Sequence, residues 1–172
     1  ELNAAAQNNT AKLGFSDRFV LHTGELADTR FLEKLRMEAS PVQLVMANPP
    51  WRLVGSGRLP ATEARRKALF GDKGTFPLFA SAASSLLEED GRFACIISPD
   101  RLQDMLAALD GAGLTPYLLQ YIHKQKTSPA TFVLIEARKG AHAKPSVAEP
   151  IALYGPERFF TLESLAFCPF LR

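Results

Sequence analysis

Leu2, Ala5, Ala6 and Leu13 recur at near-helical spacing and are followed by Gly14, where a helix end favours positive φ, so a helix is predicted over residues 2–13. Phe19-Val20-Leu21-His22, a short apolar run after Ser16-Asp17, predicts a strand ending near Gly24. Phe31, Leu32 and Leu35 mark a short amphipathic helix over residues 28–38, closed by Ser40-Pro41. Residues 42–47 are apolar except for Gln43 and predict a strand that must stop at Asn48-Pro49-Pro50-Trp51, because proline cannot donate to a sheet ladder. Periodicity is then lost over a long basic, Gly-containing excursion, with a short helix expected around residues 61–70. Phe79, Ala82, Ala83, Leu86 and Leu87 form an i, i+3, i+4, i+7, i+8 stripe that predicts a helix over residues 76–89, ended by Gly91. A buried strand over 93–98, a helix opened by Pro99 and carrying Leu102, Met105, Leu106 and Leu109, and two strands over 117–123 and 131–137 complete the regular part. Beyond Gly140 the tail is Pro-rich, with a β-like stretch at 150–154.

This alternation of helices and strands predicts an α/β fold: a mostly parallel sheet ending in an antiparallel hairpin. Ligands of such sheets bind at the carboxyl ends of the strands, where Glu25 and Asn48 are both expected.

Composition narrows the class. The chain has 172 residues, 47% hydrophobic and 22% charged, with a mean hydropathy of −0.03, which fits one globular domain and excludes disorder, collagen and a disulfide scaffold. No apolar run approaches the ~18 residues of a membrane span, and no basic-then-apolar leader opens the chain, so a cytoplasmic protein is expected. Cys95 lies in an apolar run and Cys168 far from it, which fits a reducing compartment. A net charge of +2 does not by itself announce a polyanionic partner, so any nucleic-acid reading rests on local charge. The chain opens on Glu1 and runs directly into a helical pattern without an initiator Met or a leading strand; it is expected to be part of a longer chain.

Asn48-Pro49-Pro50-Trp51 carries the chemistry. The Asn side-chain oxygen and the Pro49 carbonyl can accept hydrogen bonds from one amino group. An exocyclic amine on a base is a poor nucleophile because its lone pair is delocalised into the ring; two acceptors favour a pyramidal nitrogen able to attack an electrophilic methyl group. The prolines stiffen the backbone, and Trp51 offers an extruded base a stacking face worth roughly 1–3 kcal/mol. The plainer alternative is a turn that ends a strand, with Trp51 as a core or interface aromatic.

The tetrapeptide resembles motif IV of class I S-adenosylmethionine-dependent methyltransferases, and the chain is similar to the tRNA adenine-N6 methyltransferase-like family. The likeness spans most of the chain, including Gly24-Glu25-Leu26, Gly55-Ser56-Gly57-Arg58, residues 86–99, Pro129-Ala130, residues 135–140, Pro150-Ile151 and Phe160-Thr161. It implies a Rossmann-like methyltransferase sheet, incomplete at its N-terminus. Residues 1–172 would be the C-terminal part of a single methyltransferase domain, whose first strand and Gly-rich turn lie upstream of residue 1. It implies S-adenosyl-L-methionine as cofactor, RNA and most specifically tRNA as partner, and no metal. Asn48, Pro49, Pro50 and Trp51 take catalytic roles in this reading, while Glu25, Leu26 and Asn48 contact the cofactor; Glu25 stands where the family more usually has Asp. Asn-Pro-Pro with an aromatic also occurs in enzymes acting on guanine N2 and on protein glutamine. Without its first strands the chain could instead be a non-catalytic module that binds RNA or a partner protein.

Arg58, Arg65, Arg66 and Lys67, with Lys73 beyond, form a basic cluster suited to phosphates near a flipped base, or else a solvated helix face. Lys124 and Lys126 could extend that surface. His22, His123 and His142 share no metal-ligand spacing and read as structural. Asn8-Asn9-Thr10 matches a glycosylation sequon as a string only, and Gly55-Ser56-Gly57 lacks the Gly-Lys-Ser/Thr of a phosphate-binding loop.

Overall fold

The computed structural model describes residues 2–39, 41–53, 61–140 and 144–168. Its first third is helical: α1 (Leu2–Lys12) and α2 (Thr29–Ala39), the latter capped by Asp28, whose carboxylate accepts from the Arg30 amide at 3.0 Å. β1 (Val42–Ala47) follows, then the two-residue strand β2 (Arg52–Leu53), α3 (Glu63–Leu69), the two-residue strand β3 (Phe70–Gly71) and α4 (Thr75–Leu86). β4 (Leu87–Ile97), a 3-10 turn at Pro99–Arg101, α5 (Leu102–Gly111), β5 (Leu114–Gln125) and β6 (Ala130–Lys139) form the body of the fold. β7 (Ser146–Val147), β8 (Ile151–Tyr154) and α6 (Leu162–Phe167) complete it.

The main sheet runs in the order β1-β4-β6-β5-β7, with β8 also pairing with β5. β1 and β4 are parallel, whereas β6 lies antiparallel between β4 and β5, so the predicted hairpin is present and inserted by its second strand. Burial alternates along the strands because successive side chains leave opposite faces. Phe93, Cys95 and Ile97 of β4 and Val133, Ile135 and Ala137 of β6 point into the core. There they meet Phe76, Ala80 and Ala83 of α4 and Met105, Ala108 and Leu109 of α5. The opposite face is only half covered: Ala94, Ile96, Leu134 and Met46 border a hollow of about 530 Å³, touched by Phe167.

Two sequence expectations need correction. Residues 19–22 form no strand. An apolar run becomes a strand only when a ladder partner takes up its N–H and C=O groups, and among the described residues none pairs with it; Phe19 and Val20 are both exposed. The helix predicted over 76–89 stops at Leu86, and Leu87 already pairs with Val42 in β4. Lys139 contributes to this early stop, since its ammonium donates to the carbonyls of Ser84 at 2.9 Å and Leu87 at 2.7 Å, satisfying acceptors that the helix end leaves open. Among the described residues none before Pro49 is buried.

The histidines have structural partners: His22 lies 3.5 Å from the Glu38 carboxylate, and His123 Nδ1 lies 2.7 Å from the Ser128 carbonyl in the β5–β6 turn. His142 is outside the described residues. Burial pushes the Cys95 thiol up to about 12, because the thiolate would lose its hydration in an apolar core. Since the thiolate is the reactive species, native protein should titrate with a disulfide reagent at Cys168 alone from pH 7 to 9, Cys95 reacting only after denaturant is added. Two thiols reacting at equal rates in native protein would contradict the burial.

Candidate active site

Parallel pairing of Ala47 with Cys95 sets the carboxyl ends of β1 and β4 side by side, and antiparallel pairing of Ile97 with Val133 brings the start of β6 to that same end. The Asn48–Trp51 turn therefore emerges beside the Ser98–Arg101 turn and the Phe132 ring. The four residues do not share one environment: Asn48 is exposed, Pro49 is fully buried, and Pro50 and Trp51 are half-buried. Among the described residues the Asn48 carboxamide has no hydrogen-bond partner, so its oxygen and amide hydrogens are available to a ligand. The buried Pro49 anchors the turn from below.

Trp51 is fixed from two sides. Its indole meets Phe132 edge-on, with ring centroids 6.3 Å apart and planes at 72°, and the Arg52 guanidinium lies 5.3 Å from the indole centroid. The four residues of the turn, with Ala68 and Leu69 of α3, Ile96 of β4 and Phe132 of β6, enclose a cavity of about 220 Å³. Drug-sized ligands occupy pockets of roughly 300–1,000 Å³, so this one suits a single small ring system.

β3 supports the turn from beneath. A Cβ on Gly71 would collide with the Pro50 carbonyl oxygen and stand 2.7 Å from Thr75 Oγ1, so only glycine permits this approach of two backbones.

α3 supplies the basic wall. Its Thr62 hydroxyl caps the Arg65 amide at 3.4 Å, and its Leu69 turns toward the cavity while Arg65, Arg66 and Lys67 stay exposed. Lys67 lies 3.5 Å from Glu63 across one exposed turn, leaving Arg65 and Arg66 as the cations of this helix that have no acidic partner among the described residues. Lys73 is exposed in the turn before α4, and Lys124 and Lys126 are exposed at the β5–β6 turn. Arg58 and the Gly55-Ser56-Gly57 segment lie outside the described residues.

Glu25 and Leu26 are not brought to a strand end, because residues 19–22 form no strand. Glu25 is exposed in a turn whose carbonyl accepts from the Asp28 amide at 3.0 Å, and Leu26 is half-buried. The structure brings Asn48, Pro49, Pro50, Trp51 and α3 together and leaves the Glu25 turn apart from the residues lining that cavity.

Besides Gly71, one charged residue at the site escapes sequence reasoning. Arg101 is 5% exposed, and its Nη1 donates to the Trp51 carbonyl at 2.8 Å. Its signal is a charge in phase with an apolar stripe: Arg101, Met105, Ala108 and Leu109 are all buried on one side of the helix and its leading turn. A cation placed on a core stripe needs built-in partners.

Comparison with protein-family models and with curated proteins gives no match. Among solved structures, the chain is similar to a predicted O-methyltransferase from Agrobacterium tumefaciens, with a TM-score of 0.67 and 21% identity over 98% of this chain and 69% of that one. A complex of M1.HpyAVI with SAM matches over 73% of this chain and 62% of its own, at a TM-score of 0.42 and 12% identity. The first likeness shows the fold, the Rossmann-like α/β sheet expected from the sequence. Among the described residues no helix is long and apolar enough to cross a membrane.

Proposed function

We propose that this chain carries the amine-orienting side of an S-adenosylmethionine-dependent N-methyltransferase that acts on the exocyclic amine of adenine in RNA, with tRNA as the first substrate to test. The observation that carries the reading is the unengaged Asn48 carboxamide at the carboxyl end of β1, beside a base-sized cavity bordered by Trp51. In this reading Asn48 Oδ1 and the Pro49 carbonyl accept from the amine and aim its lone pair; Trp51 stacks on the extruded ring. Bound S-adenosylmethionine supplies an electrophilic methyl group. In-line displacement needs the reacting atoms aligned at about 3–3.5 Å, so holding the amine in place is the contribution expected of these residues. The acceptor set fits: a carboxamide oxygen and a carbonyl polarise an amine without needing to ionise. The test is transfer of labelled methyl from S-adenosylmethionine to unmodified tRNA, with DNA, guanine-only RNA and glutamine-containing protein as the other arms. Methylation of adenine in tRNA supports the reading, and label on guanine or protein redirects it to those substrates.

Arg65, Arg66 and Lys67 are the candidate phosphate ligands, together with Arg58. Neutralising the three helix residues together should weaken RNA binding and flatten the log-log salt dependence by roughly 0.7–0.9 for each phosphate no longer neutralised. An unchanged slope in an anisotropy titration returns α3 to a merely solvated face.

We also propose that the cofactor is held mainly by strands pairing with the free edge of β1, as expected from the sequence. Support comes from topology and burial: among the described residues β1 is the terminal strand of the main sheet, and α1 and α2 before it bury no residue. Glu25 and Leu26 would join the cofactor site only in that completed sheet. Calorimetric titration of residues 1–172 alone should accordingly show weak or no S-adenosylmethionine binding and a tendency to aggregate. Micromolar binding by a monodisperse 172-residue protein would overturn this, and would leave a non-catalytic module the poorer reading.

A further inference from the structure

We infer that Arg101 is a positioning residue that locks the Asn48–Trp51 turn to the helical layer, so that the acceptor geometry at Asn48 depends on a buried guanidinium outside the cavity.

The guanidinium is engaged at two of its nitrogens and across its face. Nη1 donates to the Trp51 carbonyl at 2.8 Å, Nε donates to Asp104 Oδ2 at 2.7 Å, and its face lies 4.6 Å from the Phe76 ring centroid. The three partners come from three places, the turn after β1, the first turn of α5 and the start of α4, and Arg101 is the point where they meet. The Trp51 carbonyl lies in the turn between β1 and β2, and a part-buried carbonyl outside a ladder needs a donor. A charged donor makes the stronger bond, and the planar fork of arginine fixes direction as well as distance, whereas the rotatable ammonium of a lysine is a point charge. Burying this cation is costly unless it is paired, so the arrangement is not one that packing alone would select; an apolar side chain would fill the space and leave the Trp51 carbonyl unpaired. Asp104 completes the device from the rim. Its side chain is 61% exposed against 6% for Arg101, so it supplies charge to the buried partner while staying hydrated itself.

The lock stands on geometry. Its consequence for turnover rests on the methyltransferase reading. Trp51 is the only tryptophan among the 172 residues, so its fluorescence reports the turn directly, without any assay of activity. The experiment is acrylamide quenching of Trp51 in the full-length protein, with any tryptophan outside these residues changed to phenylalanine, for the parent, Arg101→Gln, Arg101→Lys and Asp104→Asn. Lys139→Met serves as a control that loosens the end of α4 without touching the turn.

The quenching constant should rise at least about twofold in Arg101→Gln and by less in Arg101→Lys and Asp104→Asn, while the control equals the parent. Under the methyltransferase reading, kcat of Arg101→Gln should fall about 10- to 100-fold with the KM for cofactor nearly unchanged, because misplacement rather than weaker binding is the defect. Equal quenching in the parent and Arg101→Gln overturns the lock, as does a rise in Lys139→Met that matches Arg101→Gln. If Arg101→Gln does not fold, Asp104→Asn decides, and unchanged quenching there overturns it too. Increased quenching in a protein that methylates no substrate keeps the lock and rejects the reaction.

Discussion

Asn48→Ala should lower methyl transfer at least about 100-fold while leaving cofactor affinity within a few-fold. The size follows from what is removed: one preorganised hydrogen-bond partner aimed at a reacting centre is worth ~2.7–4 kcal/mol in comparable active sites. Stability should hardly change, because the Asn48 side chain is exposed and has no partner among the described residues. The mutant should thus unfold at the parent temperature, and single-turnover kinetics should place the whole deficit in the transfer step. Loss of cofactor binding in parallel with turnover would remove Asn48 from the proposed role. Trp51 should respond in grades: Phe keeps a π-face and much of the activity, whereas Ala has neither the stack nor the edge-on packing against Phe132. If Ala and Phe behave alike, Trp51 is structural.

Gly71→Ala should be the most damaging change outside the four-residue turn. One added methyl group would press on the Pro50 carbonyl oxygen and on Thr75 Oγ1. Neither neighbour moves freely. The carbonyl belongs to a stretch of two prolines, of which Pro49 is buried, and the Thr75 hydroxyl is tied to Asp72 through its amide at 2.9 Å and its carboxylate at 3.1 Å. Relief must come from shifting β3 or the turn. Overpacking of this kind costs about 1–3 kcal/mol, and a shift of the turn by one ångström can cost ~100-fold in rate. Thermal unfolding with parallel rate measurement distinguishes the two routes. Full activity at parental stability would show that the two backbones are less rigidly opposed than described.

The sequence made most elements legible, because periodicity records which face of an element is buried. The stripe from Phe79 to Leu86 and the apolar run of β1 identify their elements without further help. The failures occurred where the outcome depends on a distant partner. Residues 19–22 have the composition of a strand, yet a strand exists only as a pair. Leu87 continues the helical stripe, but Val42 claims it for the sheet and Lys139 binds the carbonyls at the helix end, both reaching in from distant parts of the chain. At the site, Asn48 and Trp51 were legible as chemistry on a rigid turn, and α3 as a run of charge. Arg101 was not, because an arginine near a helix start looks like an ordinary solvated residue until its phase against Met105 and Ala108 is considered. Gly71 was invisible for a different reason: what demands glycine there is the backbone of another segment.

β6 has a meaning for the birth of the protein as well as for its shape. It lies between β4 and β5, and those two strands share no ladder. A ribosome that has released the chain only as far as the β5–β6 turn therefore holds the β1–β4 pair and an unpartnered β5, joined by α5 and both waiting for the same ten residues. Unpaired strand edges recruit foreign strands. Translation pauses or premature stop codons before Ala130 should thus yield species that need chaperones or proteolysis, whereas stops after Lys139 leave the central ladders closed.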